Sequence, residues 1–272
     1  MHHQDSGGLP DGLAALATAV AVCGAAGYLL AASRLRRRGD RWPPLRDLSF
    51  SAGAAVLVAA ALVTPPGGAF TVHMGQHLAT GMAAPLLLVL GRPVTLALRA
   101  LPPGGRRPLL AVLRSRPLGA LANPPVAALL DAGGLWLLYR GPLFAAAHER
   151  AWLGVLVHVH VLAAGLLFTA VVCSLDPLPR RHGTVLRSAA LVGAGAAHAV
   201  LARTLYAAPP PGTAFTAGDL SAAAELMYYG GDLVEIALAA VIGLQWYTAS
   251  GRRLAREGRQ GPRSGEPRAS AP

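Results

Sequence analysis

What most limits the folds open to this chain is a succession of seven long apolar blocks, each bounded by arginine, proline or glycine. They cover about residues 11–33, 47–64, 71–91, 123–141, 152–174, 187–207 and 221–249. A helix needs roughly 20 apolar residues to cross a hydrocarbon layer about 30 Å thick. Inside that layer every backbone N–H and C=O must be satisfied within the segment, which selects helices. The sequence therefore predicts an all-α membrane protein with seven transmembrane helices. Residues 1–10 form a short outer N-terminal tail, 11–250 the seven-helix membrane domain, and 251–272 a disordered, basic cytoplasmic tail. Composition agrees: 53% of residues are hydrophobic, 14% are charged, and mean hydropathy is +0.45. No soluble domain has room, and no internal repeat is visible.

Every one of the 24 basic residues is an arginine, and the net charge is +11. In a soluble protein that charge would suggest nucleic acid. Here its placement assigns it to topology, with the lipid bilayer as partner and no nucleic acid. With the N-terminus outside and the C-terminus cytoplasmic, only Arg140, Arg150 and Arg203 fall toward the outer side. The rest collect in inner joins such as 34–46, 92–116 and 180–187 and in the tail, as the positive-inside rule requires. Residues 1–10 lack the basic start of a secretory signal, so the first block stays as a helix in a bacterial plasma membrane. Trp42, Trp246 and Tyr247 are expected at the inner interface, and Tyr139, Trp152 and Tyr206 at the outer one. Cys23 and Cys173 lie far apart in apolar blocks and form no CxxC, so both read as small buried residues rather than a disulfide or a zinc site.

Polar residues inside these blocks are costly and mark candidate functional positions. His73 and His77 stand at i and i+4, on one helical face roughly 6 Å apart along the axis. Met74 and Met82 add thioether sulfur, although Met74 points about 100° away from His73. Imidazole suits copper and zinc, and thioether prefers reduced copper. His160 lies in the fifth helix and His198 in the sixth, while Asp131 is near the middle of the fourth. Glu225 and Asp232 share a stripe of the seventh, with Glu235 close to it. On a helix His158 and His160 point about 200° apart, so they cannot both face one site. His148 and His182 read as solvated loop residues, and Arg203 is a candidate partner for one of the acids.

Two stretches are recognisable. HMGQHLATGMAAPLLLVLGRPVTLALR, from His73 to Arg99, resembles the HMxQHxxLxxxAPLLLxLGxPVTLxLR signature of the multi-helix CtaG family of cytochrome c oxidase assembly proteins. HVHVLAAGLLFTAVVCSLDPLPRR, from His158 to Arg181, is similar to that family's xHFLxxGYLFxxxxxGxDPxPRR. It sets His160 on the family histidine and Asp176-Pro177 on the Asp-Pro. His198 in AAHAVLARTLY is a third match. Asp219 and Gly231-Asp232 fall at the spacing of the family's last helix, with Leu220 in place of its Gln and SAAAELMYY in place of its glycine run. The resemblance spans about residues 45–250.

It implies a membrane-embedded copper-binding factor, not an enzyme, that helps form the copper site of a haem-copper cytochrome c oxidase. Its partner would be the oxidase subunit carrying the haem-copper centre. His73, His77, His160 and His198, with Met74 and Met82, would hold copper near the outer face. Asp232, Glu225 and Asp131 would balance charge or orient the histidines. No P-loop, GxSxG or HExxH argues for hydrolysis or phosphate chemistry. Two other classes fit intramembrane histidines and acids: a copper or proton transporter, which needs the polar path to continue inward, and a haem-binding cytochrome. A separate expectation concerns the amino terminus, where the amine, two amides and His3 could give Cu(II) a square-planar nitrogen set.

Overall fold

The computed structural model describes residues 11–259, in which helices follow one another with short joins. In order they are α1 (Asp11–Arg37), α2 (Pro44–Leu62), α3 (Ala69–Leu78), α4 (Ala84–Leu90), α5 (Pro93–Ala100), α6 (Pro103–Leu113), α7 (Arg116–Leu121) and α8 (Pro124–Ala128). They continue with α9 (Gly134–Arg140), α10 (Leu143–Glu149), α11 (Ala151–Cys173), α12 (Thr184–Ala207) and α13 (Ala217–Arg259). The expected all-helical membrane architecture is present. Among the described residues five single helices are long and apolar enough to cross a membrane, Gly12–Arg37, Pro44–Leu62, Ala151–Cys173, Thr184–Ala207 and Ala217–Arg252. A sixth arises if Ala69–Leu90 is joined to Pro93–Ala100 across a 41° bend. The expected fourth segment, residues 123–141, is divided between α8 and α9 by a break at Leu129–Gly133.

Two π turns interrupt the segments that carry the unusual polar residues. Ala79–Ala83 separates α3 from α4, and Leu129–Gly133 separates α8 from α9. Pro85 has no N–H to return to the Gly81 carbonyl, so the α ladder cannot run through that point unbroken. One wide turn absorbs the mismatch, as π bulges do at many functional sites. The second π turn contains Asp131 and ends in the Gly133-Gly134 pair, which resists a helical break poorly. Gly165 of α11 lies against the first π turn. A Cβ there would overlap the Gly81 carbonyl, so only glycine permits this approach of the two backbones.

Side chains sort as a bilayer demands. Leu16, Val20, Leu62, Leu137, Val159, Val192, Leu233 and Ile236 are exposed on the helix exteriors. Two interior clusters fill the main bundle: one around Phe70, Met74, Tyr139, Leu201 and Met227, the other around Leu86, Phe168, Val172, Leu191 and Leu238. A third, around Tyr28, Leu35, Trp42 and Leu96, seals the α1–α2–α5 corner. There the Tyr28 hydroxyl donates to the Gly91 carbonyl at 2.7 Å.

Several single-residue expectations change. Trp42 is 4% exposed and Tyr139 is fully buried, so neither belongs to an interfacial belt. Trp42 lies under the Arg46 guanidinium, 4.5 Å from its ring centre. Trp152, Tyr206, Trp246 and Tyr247 are exposed, as expected of belt residues. Cys173 is buried, but Cys23 is exposed on α1. α13 continues to Arg259, past the Ser250 boundary, because the Arg, Leu and Ala that follow are good helix formers. The expectation for Met1, His2 and His3 lies outside the described residues.

Asp176 and Arg187 act as fasteners at one end of the bundle. The Asp176 carboxylate accepts from Val94 N at 3.1 Å and Thr95 N at 2.9 Å, capping the start of α5 from the far end of α11. Buried Arg187 donates to the Val172 carbonyl at 2.8 Å and to Gln245 Oε1 at 3.0 Å, closing the C-terminal turn of α11 against α12 and α13.

Candidate functional site

The two π turns, α3, α11, α12 and α13 enclose a small cavity of about 30 Å³, room for an ion or a water. His77, Met82, Asp131, His160, His198 and Glu235 supply its polar and soft groups. His77 comes from the last turn of α3, and Met82 and Asp131 from the π turns themselves. His160 is on α11, His198 on α12 and Glu235 on α13. The chain thus brings together side chains more than 150 residues apart, and the wide turns aim two of them inward.

His77 and His198 face each other across this space. Their ring centres are 6.4 Å apart and their planes 29° apart. Both are buried, at 6% and 5% exposure, and the Nε2 atom of each has no hydrogen-bond partner. A buried nitrogen left without a partner costs about 1–3 kcal/mol. Two such atoms on one cavity are a preparation for a ligand that accepts electron pairs. Glu235 Oε1 lies 3.8 Å from His198 Nδ1, the ring nitrogen opposite the unpartnered Nε2. Gly231 packs directly on the His198 ring: a Cβ there would clash with its carbon and nitrogen atoms.

His160 lines the same cavity but is exposed, and its Nε2 meets the Leu130 carbonyl at 3.2 Å. Trp136 donates to the Ala197 carbonyl at 3.0 Å, fixing α9 beside His198. Beneath the cavity Phe168, Leu191, Ala194 and Leu238 close the bundle with apolar surface.

The remaining candidates stand elsewhere. His73 points into a second small space with Gln76, His77, Tyr139 and His158. Its Nε2 is 2.9 Å from the Tyr139 hydroxyl. Met74 is fully buried in the apolar cluster with Phe70 and Met227 and is not part of the cavity lining. Glu225 is exposed and lines an open groove with Arg203, Tyr228 and Tyr229. Arg203 rests over the Tyr228 ring at 5.5 Å. Asp232 is half-buried and lies outside the cavity lining. His158 and His160 do point to different spaces, with His77 bordering both.

Glu235 and Tyr139 are the neighbours of the histidines that sequence reasoning ranked too low. Glu235 was readable as the next turn of the Asp232 stripe. Tyr139 is indistinguishable from a belt tyrosine until α9 is packed. Among the described residues no group of three His, Cys, Asp or Glu side chains is close enough to enclose a metal ion. The donor set nevertheless fits a soft ion: two unpartnered imidazole nitrogens, with a thioether and a third imidazole on the same cavity.

Fold and site together define a polytopic helical membrane protein whose interior gathers imidazole, carboxylate and thioether groups. The chain belongs to the family of cytochrome c oxidase caa3 assembly factors, whose model matches residues 26–249. It is also similar to uncharacterised proteins of Mycobacterium bovis and Mycobacterium tuberculosis. Each is 39% identical over 173 residues, 60% of this chain and 26% of the relative. An uncharacterised protein of Mycobacterium leprae is 34% identical over 173 residues, again 60% of this chain and 26% of the relative. The chain thus spans about a quarter of the length of these curated relatives. No solved structure matches it.

Proposed function

We propose that this chain is a membrane-embedded copper-binding factor, without catalytic activity of its own, that assists formation of the copper site of a haem-copper cytochrome c oxidase. Family membership supports the oxidase connection. The observation that carries copper is the pair of buried, unpartnered Nε2 atoms of His77 and His198 on one cavity. His77 and His198 are the primary ligands, with Met82 and His160 as further donors to Cu(I), and His73 as an auxiliary histidine one turn away. Glu235 orients His198, and Asp131 offsets cationic charge. Met74, Glu225 and Asp232 take no direct part, given their placement. The apolar floor formed by Phe168, Leu191 and Leu238 favours holding an ion over transporting it through the bundle.

The cavity opens toward the outer face of a bacterial plasma membrane. Residues 124–140 make the fourth of seven crossings despite their π turn, and joined arms of α3 and α4 make the third. The N-terminus is then outside and the C-terminus cytoplasmic, in keeping with the arginine distribution. The partner is the oxidase subunit that carries the haem-copper centre.

The test is the oxidase itself. Purified from a strain lacking this chain, it should keep its haem and lose copper from the haem-copper centre, with recovery on expression of the wild-type chain but not His77→Ala. Full copper content in the deletion strain would refute the reading.

A further inference from the structure

His148 is a side chain that the site described above does not use. It lies at the C-terminal end of α10 and is exposed. Its Nδ1 lies 2.8 Å from the Phe144 carbonyl. A carbonyl only accepts, so Nδ1 donates to it and Nε2 is the nitrogen left to meet a metal. A ring fixed through one nitrogen with the other bare is the arrangement metal-ligating histidines adopt.

The spacing beyond it is regular. The His148 and His73 ring centres are 6.2 Å apart. His73 and His77 follow each other by one helical turn, and both flank the buried Tyr139 ring, at 5.9 and 6.1 Å. His77 and His198 are then 6.4 Å apart. Imidazole nitrogens bind transition metals at about 2.0–2.1 Å, so two roughly opposed rings sharing one ion have centres about 6 Å apart. The first and last of these pairs have ring centres at about that separation. Phe70 and Phe144 wall the first pair: the Phe144 ring centre is 4.9 Å from His73 and 4.5 Å from His148.

We infer that His148 is the receiving residue of a histidine relay, in which a soft transition-metal ion passes from His148 to His73 and His77 and comes to rest at His198. The inference rests on the copper-holding role proposed above, and it adds the route and its first contact. His148 belongs to the path and not to the resting site, so it governs the rate of loading without governing the capacity.

The experiment loads the full-length chain in lipid nanodiscs with Cu(I) or Ag(I) from a coloured chelator complex, following both rate and final stoichiometry. His148→Ala should reach the wild-type stoichiometry about ten-fold more slowly, a barrier increase near 1.4 kcal/mol. His148→Met should recover the rate, since thioether binds both ions and shares nothing else with imidazole. Wild-type speed in His148→Ala would overturn the relay while leaving the copper-holding role intact. Equal slowing in the Ala and Met variants, or lowered stoichiometry in either, would also overturn it by making His148 structural or a resident ligand. A wild-type chain that takes up no metal would remove the copper-holding role and the relay together.

Discussion

Asp219 at the start of α13 holds Thr71 at the start of α3 from 148 positions away. Its carboxylate accepts from Thr71 N at 2.9 Å, Thr71 Oγ1 at 2.7 Å and Phe70 N at 3.0 Å. Asp176 treats Val94 and Thr95 of α5 the same way. Each carboxylate satisfies helix N-terminal donors that have no intrahelical partner, and each sits where the helix dipole favours negative charge. The Asp219 cap sets the register of α3 against α13, and so the level at which His73 and His77 enter the bundle.

Replacing Asp219 by Ala should lower stability by about 1–2 kcal/mol, the scale of a lost N-cap. Thermal unfolding in detergent should show a lower Tm, with Asp219→Asn intermediate because an amide oxygen still accepts. An unchanged Tm in Asp219→Ala would show that the cap contributes nothing to the assembled bundle.

Gly231→Ala places a methyl against the His198 ring, whereas a Cβ at Gly243 meets nothing within 4 Å. Gly231→Ala should therefore weaken copper binding by displacing His198, and Gly243→Ala should bind as the wild type does. Competition with a Cu(I) chelator measures both. Equal affinities would mean that the position of the His198 ring is immaterial.

Arg187 should tolerate neither Ala nor Lys. Its Nη1 serves the Val172 carbonyl and Gln245 Oε1 together, and a lysine ammonium is shorter in reach and more strongly hydrated, so it is costlier to bury there. Arg187→Ala leaves buried acceptors unmet at a cost of about 1–3 kcal/mol each. Yield and Tm of both variants in detergent report the loss, and wild-type values for Arg187→Lys would show that the guanidinium is not required.

A reporter inserted near Gly67 should read outside the cell, and one fused after Arg252 should read cytoplasmic. Reversed readings would turn the histidines toward the cytoplasm and remove their access to an oxidase copper site on the outer side.

Much of this molecule is legible in its sequence because burial in a bilayer is a coarse property. The apolar blocks locate the long helices, and the i, i+4 spacing of His73 and His77 survives any packing. The His198 assignment, made from one motif and its depth, falls on the same cavity as His77. Other features depend on contacts between distant segments. The π turns need Pro85 and the Gly133-Gly134 pair, but also α11 pressing on Gly81. Trp42 and Tyr139 have the composition of belt residues, and only tertiary packing moves them inside. Met74 carries the right atom for copper, yet helical phase turns it into the apolar core. Glu235 lines the cavity beside His198, 3.8 Å from its Nδ1, a contact that the Asp232 stripe alone does not single out.

The most direct test of the central claim is copper content, measured by elemental analysis on the full-length chain purified under reducing conditions with Cu(I) supplied. The account predicts bound copper in the wild type and its loss in both His77→Ala and His198→Ala, with membrane insertion and Tm preserved. Copper retained in both variants, or absent from the wild type, would contradict it.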